Sequence, residues 1–117
     1  KKESSSELIR IEERKINKMI DSAKKSIGDK ILFYDKIEKA IIKSLIVKFS
    51  IRMDSLNKEK IQQIGHEKGL SKDDVLLIIK LIENCEKARD SRSSDSIMNK
   101  DLEIAKKVIS SILKVKS

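Results

Sequence analysis

His66 and Cys85 are the single histidine and the single cysteine of this 117-residue chain. Nucleophilic or metal chemistry would therefore have to be assembled from two lone residues. A Cys–His dyad needs a thiol activated by a neighbouring imidazole, and a zinc site needs several such ligands at short spacing. No spacing in the chain supplies either. His66 reads as a surface histidine and Cys85 as a small buried thiol, because cysteine packs as a hydrophobe. Gly65 and Gly69 do not form a phosphate loop: no Lys-Ser or Lys-Thr follows them in the required register. The adjacent acids Asp73–Asp74 and Glu12–Glu13 suit a helix start and a solvated face better than acid–base catalysis. No catalytic residue, metal ligand, cofactor or small-molecule substrate is expected, and the chain reads as a non-enzyme.

The stretch "IQQIGHEKGLSKDDVLLII", residues 61–79, has the order of a helix-turn-helix. Ile64, Gly65, Gly69, Val75 and Ile78 stand where such a motif wants small residues, a turn glycine and apolar anchors. A DNA-binding module over residues 61–80 is therefore the alternative reading. A recognition helix presents its N-terminal side chains to bases and phosphates. Here those are Ser71, Lys72, Asp73 and Asp74, followed by Leu76 and Leu77. Two carboxylates would meet phosphate with like charge, and two leucines would want burial against protein. Phosphate contacts supply most nucleic-acid affinity, so nucleic acid is not the expected partner.

The elements that would position these residues are all helical. Hydrophobic residues make up 38% and charged residues 39% of the chain, with no proline and no tryptophan, a balance suited to helices that each bury one stripe. Few aromatics leave little for stacking single-stranded nucleic acid. The net charge of +8 would suit nucleic acid, acidic partners or an anionic membrane face, although abundant lysine is often surface filler. One cysteine cannot form an internal disulfide.

From "SSSELIRIEERKINKMIDSAKKSIG", Ile9, Ile16, Met19, Ile20, Ala23 and Ile27 recur at three- and four-residue steps, predicting an amphipathic helix closed by Gly28. Asp29 caps a second helix over Lys30–Ser50, with Phe33, Ile37, Ala40, Ile41, Leu45 and Phe49 on one face. Ile42, Ile46 and Val47 widen that face, which predicts the central helix. Asn57 caps a short helix ended by Gly69. Ser71 starts the next with a capping-box-like "SKDD"; Val75, Ile78, Ile79, Ile82 and Cys85 form its stripe, continuing to Ala88. "RDSRSSDS" reads as a flexible loop. The last helix, Ile97–Lys114, buries Leu102, Ala105, Val108, Ile109 and Ile112. The expected fold is all-α: an antiparallel bundle of four to five helices, one short. It is organised as a basic amphipathic helix of juxtamembrane type over residues 1–28 and a bundle over residues 29–117, a single domain overall.

From "INKMIDSAKKSIGDKILFYDKIEKAIIKSLIVKFSI" through "LNKEKIQQIGHEKGLSKDDVLLIIKLIENCEKAR" the chain resembles the C-terminal cytoplasmic tail domain of BatD-family (aerotolerance operon) membrane proteins. Four pieces carry the resemblance over residues 15–113. Phe33-Tyr34 and Lys39-Ala40 match the family's "FYxALxKAL" helix. Leu56-Asn57-Lys58-Glu59 with Ile61 matches its "LxxxxI" short helix. Gly69 precedes the acidic helix start Asp73-Asp74. Cys85-Glu86 and Ala88-Arg89 match "CExARY". The chain departs from the pattern at Lys87 and Asp90, where aromatics are usual, and lacks a tryptophan in the Phe33 helix.

The resemblance implies a non-catalytic interaction or scaffolding domain on the cytoplasmic face of the bacterial inner membrane. It would be the tail of a single-span stress-tolerance protein, docking a MoxR-type AAA+ ATPase or von Willebrand A-type proteins. The longest apolar run, "AIIKSLIVKF", is broken by Lys43 and is too short to span a bilayer. Because the sequence begins "KKESSS" without a methionine, it is expected to be cut from a longer protein. With a membrane helix just upstream, Lys1, Lys2, Arg10, Arg14, Lys15 and Lys18 would be juxtamembrane positives, able to touch anionic lipid headgroups. Glu7 with Arg10 and Glu12 with Lys15 are spaced for surface ion pairs that weaken this pull. Glu86 and Arg89, beside the loop, are the candidate partner-binding edge.

Overall fold

The computed structural model describes residues 2–52, 54, 56–87 and 94–115, with side chains from residue 10 onward. Among the described residues five α-helices follow in order: α1 (Lys2–Lys25), α2 (Lys30–Phe49), α3 (Lys58–Lys68), α4 (Lys72–Glu86) and α5 (Asp95–Lys114). The protein is an all-α helical bundle.

Local chemistry accounts for most of the boundaries. Asp29 caps α2, its Oδ1 accepting from the Leu32 N–H at 3.3 Å. Asn57 caps α3 through the Lys60 N–H at 2.8 Å, and Ser71 caps α4 through the Asp74 N–H at 3.1 Å. Each side-chain oxygen satisfies one of the amide donors left open at a helix start. Gly69, at φ +90°, ends α3 in the left-handed region, and the Leu70 N–H returns to the Gly65 carbonyl at 2.9 Å.

Several helix ends differ from the sequence expectation: α2 closes at Phe49, with Ser50 as its left-handed C-cap, and α4 at Glu86. α1 stops at Lys25, and Ser26–Gly28 form a turn in which the Asp29 N–H bonds the Ser26 carbonyl at 2.9 Å. α5 starts at Asp95 instead of Ile97, because Ser94 Oγ accepts from the Ile97 N–H at 3.2 Å. The end of the expected "RDSRSSDS" loop is thus a cap and a first helical turn. Arg89 through Ser93 lie outside the described residues, as does Ala88.

α2 is the central helix, packed against α1, α4 and α5. It buries Phe33, Tyr34, Ile37, Ala40, Ile41 and Leu45. α1 contributes Ile16, Ile20 and Ala23 to the same core, so the second half of this helix is part of the bundle. α5 contributes its whole expected stripe and Met98 besides. On α4 the buried set is Val75, Ile78, Leu81 and Ile82, while Ile79 and Cys85 are half-buried. Leu81 takes a core position that the sequence stripe had left out.

Leu76 departs most clearly from expectation. Together with Leu77 it reads as needing cover, yet Leu76 is 58% exposed, and only Leu77 packs against the core. The helical turn explains this. With Val75, Ile78 and Ile82 inward, the residue one step after Val75 is rotated by about 100° toward solvent.

Two polar arrangements bind the helices. Inside the core the Tyr34 hydroxyl donates to Asp101 Oδ2 at 2.6 Å, and Asn84 Nδ2 approaches the same oxygen at 3.5 Å, tying α2, α4 and α5 together. Between α1 and α2, Lys36 Nζ donates to Ser22 Oγ at 2.7 Å and Ser26 Oγ at 3.0 Å. Lys43 Nζ reaches Glu12 at 2.8 Å.

Candidate functional site

α3 packs chiefly on α4, to which the short turn at Gly69–Leu70 joins it. This leaves a cleft of about 440 Å³ between α2 and the α3–α4 hairpin. Glu38 and Ile42 come from α2, Leu56 from the segment leading into α3, Lys58 from the first turn of α3, and Ile82 and Glu86 from α4. The walls are aliphatic and the rim is charged.

Glu86, the candidate docking residue in the last turn of α4, stands on this rim. It does not point away alone: Lys58 Nζ lies 3.1 Å from its carboxylate and 3.7 Å from that of Glu83. The hydrogen bond to Glu86 holds the Lys58 ammonium above the usual lysine range, with the charge of Glu83 adding to it. Arg89, the other half of the candidate pair, lies outside the described residues.

Glu38 is the less expected member. It is half-buried, and burial raises its carboxyl above the ordinary range, reinforced by the neighbouring charges of Glu86 and Asp35. Sequence reasoning missed both Glu38 and Lys58. Glu38 lies between Ile37 and Lys39 with no periodic signal, and Lys58 reads as one lysine among many.

Cys85 lies one residue from this rim. Burial pushes its thiol well up, and the acids Glu38, Asp101, Glu86 and Asp35 push in the same direction. A nucleophilic cysteine needs the opposite setting, an electropositive one. His66 is exposed on α3. Among the described residues, no group of His, Cys, Asp and Glu could hold a metal ion.

Arg10, Arg14 and Lys18 are exposed at four-residue steps along α1, on the side away from Ile16 and Ile20. Lys15 pairs with Glu12 at 3.2 Å, as its spacing suggests. Lys43 and then Lys15 hold the Glu12 carboxyl below its ordinary range. Lys1 lies outside the described residues, and so do the side chains of Lys2, Glu7 and Ile9. Among the described residues no helix is long and apolar enough to cross a membrane.

The helix-turn-helix candidate is a close hairpin. A Cβ on Gly65 would fall 2.5 Å from Val75 Cγ2, so the glycine lets α3 approach α4. Beside it, His66, Leu70, Lys72 and Leu76 line a smaller hollow of about 310 Å³. Asp73 is exposed and Asp74 half-exposed at the start of α4. Set against known proteins, the chain matches no family model, no curated protein and no solved structure.

Proposed function

We propose that this chain is a non-catalytic docking domain, the cytoplasmic tail of a membrane-anchored, BatD-like stress-tolerance protein. Its partners would be a MoxR-type AAA+ ATPase or von Willebrand A-type proteins. The observation that carries the reading is the cleft between α2 and the α3–α4 hairpin, an aliphatic hollow with a charged rim. Such a surface suits the capture of a protein segment. Glu86, the second residue of the "CExARY"-like piece, stands on its rim.

The family assignment rests on the order and spacing of four short sequence pieces. The exposed basic line of Arg10, Arg14 and Lys18 agrees with a helix that leaves a membrane surface, where each such charge contributes about 1 kcal/mol toward anionic headgroups. The acids Glu12 and Glu13 on the same helix temper that attraction.

The test is cell fractionation with the complete native gene expressed. Antigen retained in carbonate-washed membranes, protected from protease in intact cells and cross-linking to a neighbouring operon product, is the expected result. Release into the soluble fraction would remove the anchor from the reading. Saturable DNA binding that falls steeply with added salt would replace it with the helix-turn-helix alternative.

A further inference from the structure

The chain carries 27 Lys and Arg against 19 Asp and Glu, so an acidic site stands out against its background. Around the cleft two of the described lysines are already engaged. Lys39 pairs with Asp35 at 3.0 Å, and Lys58 is held between Glu86 and Glu83. No hydrogen bond or ion pair reaches Glu38 from the described residues. Its half-buried carboxylate shares the cleft with Ile42, Leu56 and Ile82 and faces two other acids, Glu86 and Asp35. The Lys39 charge offsets only part of the cost of drawing this carboxylate partly out of water, since the net effect still raises its pKa, and a cation supplied at contact distance recovers more of it. Ile42 and Leu56 are only half-covered, so apolar surface is available beside that carboxylate.

We propose that the cleft between α2 and the α3–α4 hairpin takes a basic amphipathic segment of a partner protein. One apolar side chain of the segment sits against Ile42 and Leu56, and one Lys or Arg meets Glu38. This rests on the docking reading and deepens it, naming the face and the chemistry of the partner. Charge complementarity selects this occupant: the partner brings to Glu38 the ion pair that no described Lys or Arg makes with it. A volume of about 440 Å³ accommodates one or two anchoring side chains rather than a whole helix, which would lie across the rim as in other helix-in-groove recognition.

The probe is a fluorescein-labelled, alanine-based peptide of about four helical turns, with Leu and Arg four residues apart. Two controls replace Arg by Glu, or Leu by Ala. Binding to the full 117-residue chain is followed by anisotropy and by methyl chemical shifts. The expected result is saturable binding with shifts at Ile42 and Ile82, weakened about tenfold by Glu38→Gln and by either control peptide. Thermal melts of Glu38→Gln establish that the variant is folded. Several results would overturn the proposal: no binding at about 1 mM peptide, equal binding of the Arg-to-Glu control, indifference to Glu38→Gln, or shifts centred on Leu76. Self-association of the chain through the cleft would also overturn it. A failed peptide with the native protein still in the membrane fraction removes the cleft assignment and leaves the docking tail. A soluble native protein with positive peptide binding does the reverse.

Discussion

Tyr34 and Asp101, separated by most of the chain, meet in the core through a 2.6 Å hydrogen bond from hydroxyl to carboxylate. Both are almost fully buried, at 2% and 6% exposure. Removing the hydroxyl leaves a buried carboxylate short of a donor, and such a loss costs about 1–3 kcal/mol. Tyr34→Phe is expected to lower the urea midpoint accordingly. A double-mutant cycle with Asp101→Asn should show coupling between the sites. Strictly additive losses would mean that the bond contributes nothing of its own.

Gly65 sets a different condition. Alanine is the better helix former by about 1 kcal/mol, so propensity alone predicts that Gly65→Ala stabilises. The Val75 methyl at 2.5 Å from the new Cβ position reverses the sign. Overpacking of this kind costs about 1–3 kcal/mol, and thermal denaturation should show a net loss. Pairing it with Val75→Ala should recover part of that loss by removing the obstructing methyl.

Glu12 and Glu38 should drive stability in opposite directions with pH. Lys43 and Lys15 lower the folded-state pKa of Glu12. Its contribution is therefore present above the unfolded value of 4.5 and is lost as pH falls through the folded one. Burial, Glu86 and Asp35 raise the pKa of Glu38. Its charged form therefore opposes folding above that raised value, and the penalty disappears below 4.5. At neutral pH Glu38→Gln is expected to stabilise, by no more than about 0.5 kcal/mol for a partly solvated group. Lys43→Met should flatten the acid limb of the stability curve. Denaturant titrations between pH 3 and pH 7 (roughly the carboxylate range) check both signs.

Cys85 should be a slow thiol. The thiol is half-buried, and its burial together with the charges of Glu38, Asp101, Glu86 and Asp35 suppresses the thiolate, the reactive form. Alkylation of the folded protein near pH 8 is expected to run at least about tenfold slower than in urea. Equal rates would mean that the last turn of α4 opens readily.

The opposite fates of Leu76 and Asp101 show where sequence periodicity stops. Met98, Leu102, Ala105, Val108, Ile109 and Ile112 on α5 follow the helical repeat, and Asp101 occupies a core position in that same progression. The position was legible; that a carboxylate could fill it was not, because its donors are Tyr34 on α2 and Asn84 on α4. Leu76 is as apolar as its neighbours, yet no element covers it. The cleft is of the same kind. Glu86 could be singled out as a charged residue beside a loop, but Glu38 and Lys58 gained their meaning only when α2 and α3 were set on either side of α4.

The sequence by itself determined the five helices, most of their caps and most of the core, because these depend on residues within a turn or two of one another. Hydrogen-bonding side chains at Asp29, Asn57 and Ser71 act on amides three residues on, and the 3.6-residue repeat selects the inward stripe. Only the tertiary structure decided which polar groups found partners, which apolar side chains, Leu76 above all, stayed in water, and that α3 leans on α4 and leaves a cleft beside α2. These outcomes depend on distances between elements remote in the chain, which a one-dimensional pattern does not contain.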